Sequence, residues 1–133
     1  MAVKEKTVMT LMTSYNPVNG HWAASNYDLC TTVLRGEWGY EGLVMTDWWA
    51  KMNDVVEGGE ESNQDTRNMI RSQNDVYMVV NNNGAEVNSN NDNTEQSVKD
   101  GTLTVGELQR AAINICNVIL HSQVIERELV DTD

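Results

Sequence analysis

Positive charge is scarce in this chain of 133 residues. Nine lysines and arginines stand against 20 aspartates and glutamates, for a formal net charge of -11. A nucleic-acid binder needs a basic footprint, and docking on an anionic membrane surface needs a polybasic patch, so neither partner is expected. Cysteine is nearly as rare. Cys30 and Cys116 lie far apart, each inside an apolar helical pattern, and are expected as two buried free thiols. No apolar run approaches the roughly 18 residues of a membrane span. The start, Met1-Ala2-Val3-Lys4-Glu5-Lys6, is charged and has no hydrophobic signal core, which favours a cytoplasmic compartment. Histidine is limited to His21 and His121, with no ligand spacing around either, so no metal and no other cofactor is expected.

What is present fits one soluble globular domain over residues 1–133. A hydrophobic content of 40% against 22% charged residues places the chain with folded rather than disordered proteins. Residues 1–6 read as the end of a helix. Thr7 to Tyr15 is β-prone and stops at Asn16-Pro17-Val18-Asn19-Gly20, where the single proline and a glycine mark a loop. Asn26-Tyr27-Asp28 offers a helix start, and Leu29, Cys30, Thr32 and Val33 repeat at helical spacing toward Gly36. Leu43 to Asp47 reads as a second strand. Asp54 to Asn74 is an acidic, glycine-containing stretch ending in a short helix over residues 66–71. Val76 to Val80 is a third strand, followed by an asparagine-rich surface loop over residues 81–91. Glu95 to Asp100 can form a short helix closed by Gly101. Thr104 and Glu107 make a capping-box candidate for a long helix. In that helix Leu108, Ala111, Ala112, Ile115, Cys116, Ile119 and Leu120 form the apolar stripe, and Ile125, Leu129 and Val130 are spaced to continue it.

The order β-α-β-α-β-α-α implies α/β architecture with parallel strands and right-handed crossovers. A closed (β/α) barrel takes about 250 residues. The expected fold is therefore a partial TIM-type (β/α) barrel of about three parallel strands with flanking helices. Its sheet has two edges to cover, by another chain or by oligomerisation.

One run stands out, Gly42-Leu43-Val44-Met45-Thr46-Asp47-Trp48-Trp49. Its apolar residues suit a strand covered on both faces, and Asp47 falls where that strand meets its loop. In α/β folds ligands bind at the carboxyl ends of strands, so an acid with two indoles there suits a sugar-handling site. Alone, the same residues read more readily as a capping aspartate beside two core tryptophans.

Longer motifs decide between these. Met12-Thr13-Ser14-Tyr15-Asn16-Pro17-Val18-Asn19-Gly20 is followed by Leu34-Arg35-Gly36-Glu37-Trp38-Gly39-Tyr40-Glu41-Gly42-Leu43-Val44-Met45-Thr46-Asp47-Trp48. Order and spacing over residues 7–49 resemble glycoside hydrolase family 3, most of all its β-glucosidase-type branch. Asn74-Asp75-Val76-Tyr77-Met78 is similar to the family's last barrel strand, although Ser72-Gln73-Asn74 replaces the usual Ala-Gly lead. The resemblance implies the last third of the family's catalytic barrel. It implies that Asp47 is the catalytic nucleophile, that Trp48 lines the sugar site, and that Tyr15 reaches the nucleophile and the sugar. It places Met12 at the floor of that site. Asn16, Asn19, Gly20 and Arg35 correspond to motif positions read as mainly structural. Trp49 falls where the family more often has glycine.

A retaining glycosidase needs a second carboxyl, about 5–5.5 Å from the first, to protonate the leaving oxygen. The family's acid/base glutamate and its other sugar-gripping residues come from segments with no counterpart here. Glu57, Glu60, Glu61 and Glu86 sit in stretches that read as solvated loop. The expected function is thus part of a retaining β-glycosidase, inactive alone. Its partners would be a β-linked glucoside or oligosaccharide and the remainder of the enzyme or a second copy of the chain. The alternative is a non-catalytic carbohydrate-binding or assembly module that uses Trp22, Trp48 and Trp49 as sugar platforms.

Overall fold

The computed structural model describes residues 3, 8–79 and 87–122. In chain order they form β1 (Thr10–Met12), β2 (Pro17–Val18), β3 (His21–Trp22), a 3₁₀ turn (Ala23–Ser25), a π-helix (Asp28–Glu37), β4 (Leu43–Trp48), β5 (Met52–Asp54), β6 (Gly58–Ser62), α1 (Thr66–Arg71), β7 (Val76–Met78), α2 (Thr94–Lys99) and α3 (Val105–Leu120). Strands β1, β4 and β7 make one parallel sheet in that order, with β4 central. This is the three-stranded α/β arrangement expected, open rather than closed into a barrel.

The central strand is the most apolar and the best covered. Leu43 is 7% exposed and Val44 is fully buried, as a strand flanked by crossover helices requires. The π-helix starts where Asn26 Oδ1 accepts the Leu29 N–H at 3.0 Å, a side-chain cap. It ends with Trp38 N–H on the Val33 carbonyl at 2.9 Å, an i→i−5 bond. Two glycines then bring the chain into β4. Gly39 takes φ +65°, and a Cβ at Gly42 would lie 2.4 Å from the Met9 carbonyl oxygen and 2.6 Å from the Tyr40 hydroxyl. The second admits no side chain at all.

One ion pair ties the sheet to its crossovers. Arg35 Nη2 donates to Asp75 Oδ2 at 2.7 Å, with the arginine side chain 10% and the aspartate 0% exposed. Arg35 also donates to the carbonyls of Gln73 at 3.0 Å and Gly42 at 3.0 Å. Asp75 in turn accepts the Val44 N–H at 2.9 Å and the Asn114 amide at 2.9 Å. The lead-ins to β4 and β7, the π-helix and α3 therefore meet at one buried charge pair. Burial pushes the Asp75 carboxyl above its usual range despite these donors.

The apolar core is small: Ala24, Ala50, Met52, Met69, Ile70 and Leu103, with Tyr77, Val98 and Leu108 packed against it. It joins the 3₁₀ turn, β5 and α1. At the head of α3, Thr104 Oγ1 accepts the Glu107 N–H at 3.2 Å and Glu107 Oε2 accepts the Thr104 N–H at 2.8 Å. The expected capping box is formed.

The structure corrects several expectations. β1 spans three residues rather than Thr7–Tyr15. Thr13 N–H still reaches the Met45 carbonyl at 2.9 Å, but Ser14 and Tyr15 turn off the sheet into the β2–β3 hairpin. β7 stops at Met78. The acidic stretch is not simply loop: β5 and β6 pair antiparallel. Asp54 Oδ1 turns the corner by accepting the N–H groups of Val56 and Glu57 at 2.8 and 3.0 Å. Cys30 is buried as expected, but Cys116 is exposed. So are Ile119 at 52% and Leu120 at 65%, at the end of α3. Apart from Val3, the helix end read at residues 1–6 lies outside the described residues, as do the stretch beyond Gln123 and most of the asparagine-rich loop. Among those described, no helix is long and apolar enough to cross a membrane.

Replacing Arg35 with methionine is expected to cost about 3–5 kcal/mol, because it strands Asp75 as a buried unpaired charge; urea unfolding followed by circular dichroism measures the loss. Glu107 gives a pH signature. Desolvation pushes its carboxyl up, but the Thr104 hydrogen bonds and the Arg71 charge outweigh this and hold it below 4.5. Its contribution is complete above the unfolded value and disappears as pH falls through the folded one. Glu107→Gln is expected to flatten this part of the acid limb in thermal melts taken between about pH 5 and about pH 2.

Candidate active site

The site is built on an irregularity in β4. Met45 stands opposite Val76 and Trp48 opposite Met78, so Thr46 and Asp47 together face the single residue Tyr77. This is a β-bulge, which re-aims the bulged side chains. Thr46 makes it possible. Its buried hydroxyl accepts the Met78 N–H at 2.9 Å, replacing a rung of the backbone ladder. The ladder resumes with Trp49 N–H on the Met78 carbonyl at 3.0 Å. Asp47 thus arrives half-buried at the carboxyl end of the central strand, with one carboxylate oxygen accepting the Trp48 N–H at 2.7 Å.

Tyr15 comes to Asp47 from the loop after β1. Its hydroxyl donates to the Trp48 carbonyl at 2.6 Å. Partial desolvation, then the neighbouring Asp47 carboxylate, raise the phenol above its ordinary value of 10. Trp48 is 44% exposed beside them. Met12 sits at the last rung of β1, opposite Met45, and is 56% exposed. The four residues singled out in the sequence therefore share one edge of the sheet, and contact between Tyr15 and the Asp47–Trp48 pair is direct.

Other residues escaped the sequence reading. Asn53, 1% exposed, accepts the Trp22 N–H at 3.0 Å and donates to the Gly20 carbonyl at 2.8 Å, fixing the segment that follows Tyr15. Asn74, fully buried, donates to Thr13 Oγ1 and to the Ala24 carbonyl, both at 3.2 Å. Tyr77 donates to the Ala50 carbonyl at 3.2 Å; burial, then the charges of Asp92 and Tyr15, push its phenol up to about 12.

No second carboxylate joins Asp47 in these contacts. Glu57, Glu60 and Glu61 are exposed around the β5–β6 hairpin, and Glu61 pairs with Lys51. Glu86 lies outside the described residues. Among those described, no three His, Cys, Asp or Glu side chains cluster as metal ligands. A cavity of about 280 Å³ opens at the other end of the sheet, beside Met9, Tyr40, Gly42 and His121, away from Asp47.

A family model described as the glycosyl hydrolase family 3 N-terminal domain matches residues 1–118. The chain belongs to glycoside hydrolase family 3. A β-glucosidase of Ruminococcus albus is 41% identical over 129 residues, covering 97% of this chain and 13% of that protein. Among solved structures, a β-glucosidase from Paenibacillus barengoltzii is 68% identical with a TM-score of 0.84, over 87% of this chain and 13% of that one. β-Glucosidase 3B from Thermotoga neapolitana in complex with glucose is 27% identical with a TM-score of 0.74, over 95% and 16%. The chain thus spans about an eighth of the length of its first relatives. Its sequence corresponds to a portion of those β-glucosidases.

Thr46→Val keeps the side-chain shape but leaves the half-buried Met78 N–H without its acceptor. It is expected to destabilise the chain by about 1–3 kcal/mol, and to release Met78 to amide hydrogen exchange faster than the β1–β4 rungs.

Proposed function

We propose that this chain supplies the nucleophile of a retaining β-glycosidase acting on β-linked glucosides or oligosaccharides. The carrying observation is Asp47 at the bulged carboxyl end of the central parallel strand, with the Tyr15 hydroxyl donating to the adjoining Trp48 carbonyl at 2.6 Å. In this reading Asp47 attacks the anomeric carbon to form a glycosyl-enzyme. Tyr15 holds the carboxylate and the adjacent sugar hydroxyl, Trp48 offers its indole face to the C–H side of the pyranose, and Met12 lies at the floor. The names of the relatives support a β-glucoside as the substrate class.

The acid/base carboxyl comes from elsewhere in the assembled enzyme, so the chain alone does not turn over. Loss of a general acid alone removes about 10²–10⁴-fold. Residues 1–133 act as a single part of a (β/α) barrel. The open sheet edge at β1 and the exposed second half of α3 are where the remaining strands and helices, or a second copy, would pack. The exposed indoles of Trp48 and Trp49 also suit the alternative of a carbohydrate-binding module without chemistry.

Exchanging this chain for the matching eighth of the Paenibacillus barengoltzii enzyme separates the two. The chimera is expected to hydrolyse an aryl β-glucoside, and Asp47→Ala to cost on the order of 10⁴-fold in kcat with the fold retained. An activated 2-deoxy-2-fluoroglucoside should label Asp47 in peptide mapping. Undiminished turnover by Asp47→Ala, or label on another carboxylate, removes Asp47 as nucleophile.

A further inference from the structure

Asp47 opens a tight turn that runs to Ala50 and is closed by the Ala50 N–H on the Asp47 carbonyl at 3.3 Å. At its third position Trp49 takes φ +46°, where glycine or asparagine is favoured and a bulky side chain is strained. A strained turn persists only where its surroundings hold it. Here the backbone is gripped at three successive residues. Tyr15 donates to the Trp48 carbonyl at 2.6 Å. The Met78 carbonyl accepts the Trp49 N–H at 3.0 Å. Tyr77 donates to the Ala50 carbonyl at 3.2 Å. Inside the turn the Trp48 N–H rests on the Asp47 carboxylate at 2.7 Å, so the shape of the turn sets how that carboxylate is held.

Tyr77 grips the turn from the core side. Its ring packs against the apolar cluster that contains Ala50 and Met52, whereas Tyr15, 47% exposed, grips from the solvent side. Tyr77 stands opposite both Thr46 and Asp47, so one side chain reaches from the bulge to the far end of the turn. Core packing accounts for the ring but not for the hydroxyl, since phenylalanine would make the same apolar contacts. Ala50 is 1% exposed, and a buried carbonyl takes its donor from within the protein. Burial, then the charges of Asp92 and Tyr15, push the Tyr77 phenol up to about 12, so it stays a donor through neutral and mildly alkaline pH.

We infer that Tyr77 is a positioning residue for the nucleophile: its hydroxyl fixes the Asp47–Ala50 turn through the Ala50 carbonyl, and the turn holds the Asp47 carboxylate through the Trp48 N–H. This rests on the reading of Asp47 as the nucleophile. Tyr77 acts through the backbone, not on the sugar. With one carboxylate oxygen kept on the Trp48 N–H, the other is left to attack. Loosening the turn lets the carboxylate swing, and a small misplacement of a reacting atom costs rate rather than sugar binding.

The test is Tyr77→Phe in the chimera that carries this chain within a complete β-glucosidase. The variant keeps the ring and removes the hydroxyl. With an aryl β-glucoside, kcat is expected to fall about tenfold with KM unchanged, the pattern of an interaction that counts at the transition state. Labelling of Asp47 by the activated 2-deoxy-2-fluoroglucoside should slow by the same factor and still reach completion, which shows that the enzyme is folded. In the 133-residue chain, Tyr77→Phe should speed amide exchange at Trp49 and Ala50. Thr13 and Leu43, whose N–H groups bond between the β1 and β4 segments, should keep their protection. A merely structural hydroxyl would lower the unfolding midpoint and leave kcat and the labelling rate at wild type. That result overturns the proposal, as does unchanged exchange at Trp49 and Ala50. Turnover that survives Asp47→Ala removes the nucleophile reading instead, so the two failures are told apart.

Discussion

The buried pair of Arg35 and Asp75 is the constraint on which the rest depends. A parallel sheet has no local turn to set its register; each strand arrives through a crossover and must be fixed by contacts distant in sequence. Here Arg35 reaches the carbonyls that lead into β4 and β7, and Asp75 takes the Val44 N–H inside β4 itself. The start of the central strand is thereby locked to the start of its neighbour. Once that end is fixed, a bulge nearer the other end can only displace Thr46 and Asp47. Such a pair is a poor source of net stability, since desolvation offsets most of the attraction. Its value is in denying the strands any other alignment.

The same residues explain the motif around them. Arginine rather than lysine at position 35 follows from the number of acceptors it serves, which needs a planar fork of donors. The glycines at 39 and 42 follow from a positive φ and from the Met9 carbonyl pressed against the backbone. None of these residues touches Asp47, yet all set where β4 begins.

Much of this was legible because it is local. The parallel order, the apolar run of β4, the Asn26 helix start and the Thr104–Glu107 box all follow from spacing, and the motifs brought Met12, Tyr15, Asp47 and Trp48 to one sheet edge. What stayed hidden is non-local or carried by atypical residues. The β5–β6 hairpin is built from Met52-Asn53-Asp54 and Gly58-Gly59-Glu60-Glu61-Ser62, with no β-branched residue to mark it. The Thr46 hydroxyl in the ladder requires knowing the register of β7. Cys116 and its neighbours read as core because helical periodicity reports an apolar face without reporting what covers it.

The position of β4 between two neighbours from its own chain has a further consequence. Every backbone pairing that shapes the Asp47 end is supplied by residues 10–78, while among the described residues β1 and β7 each keep one unpaired edge. The reactive corner is thus pre-shaped before any assembly event, and the join falls one strand away from it. A polypeptide interrupted beside β1 could be reconstituted from two separately made pieces without disturbing the corner, which makes that seam a natural place to split such an enzyme.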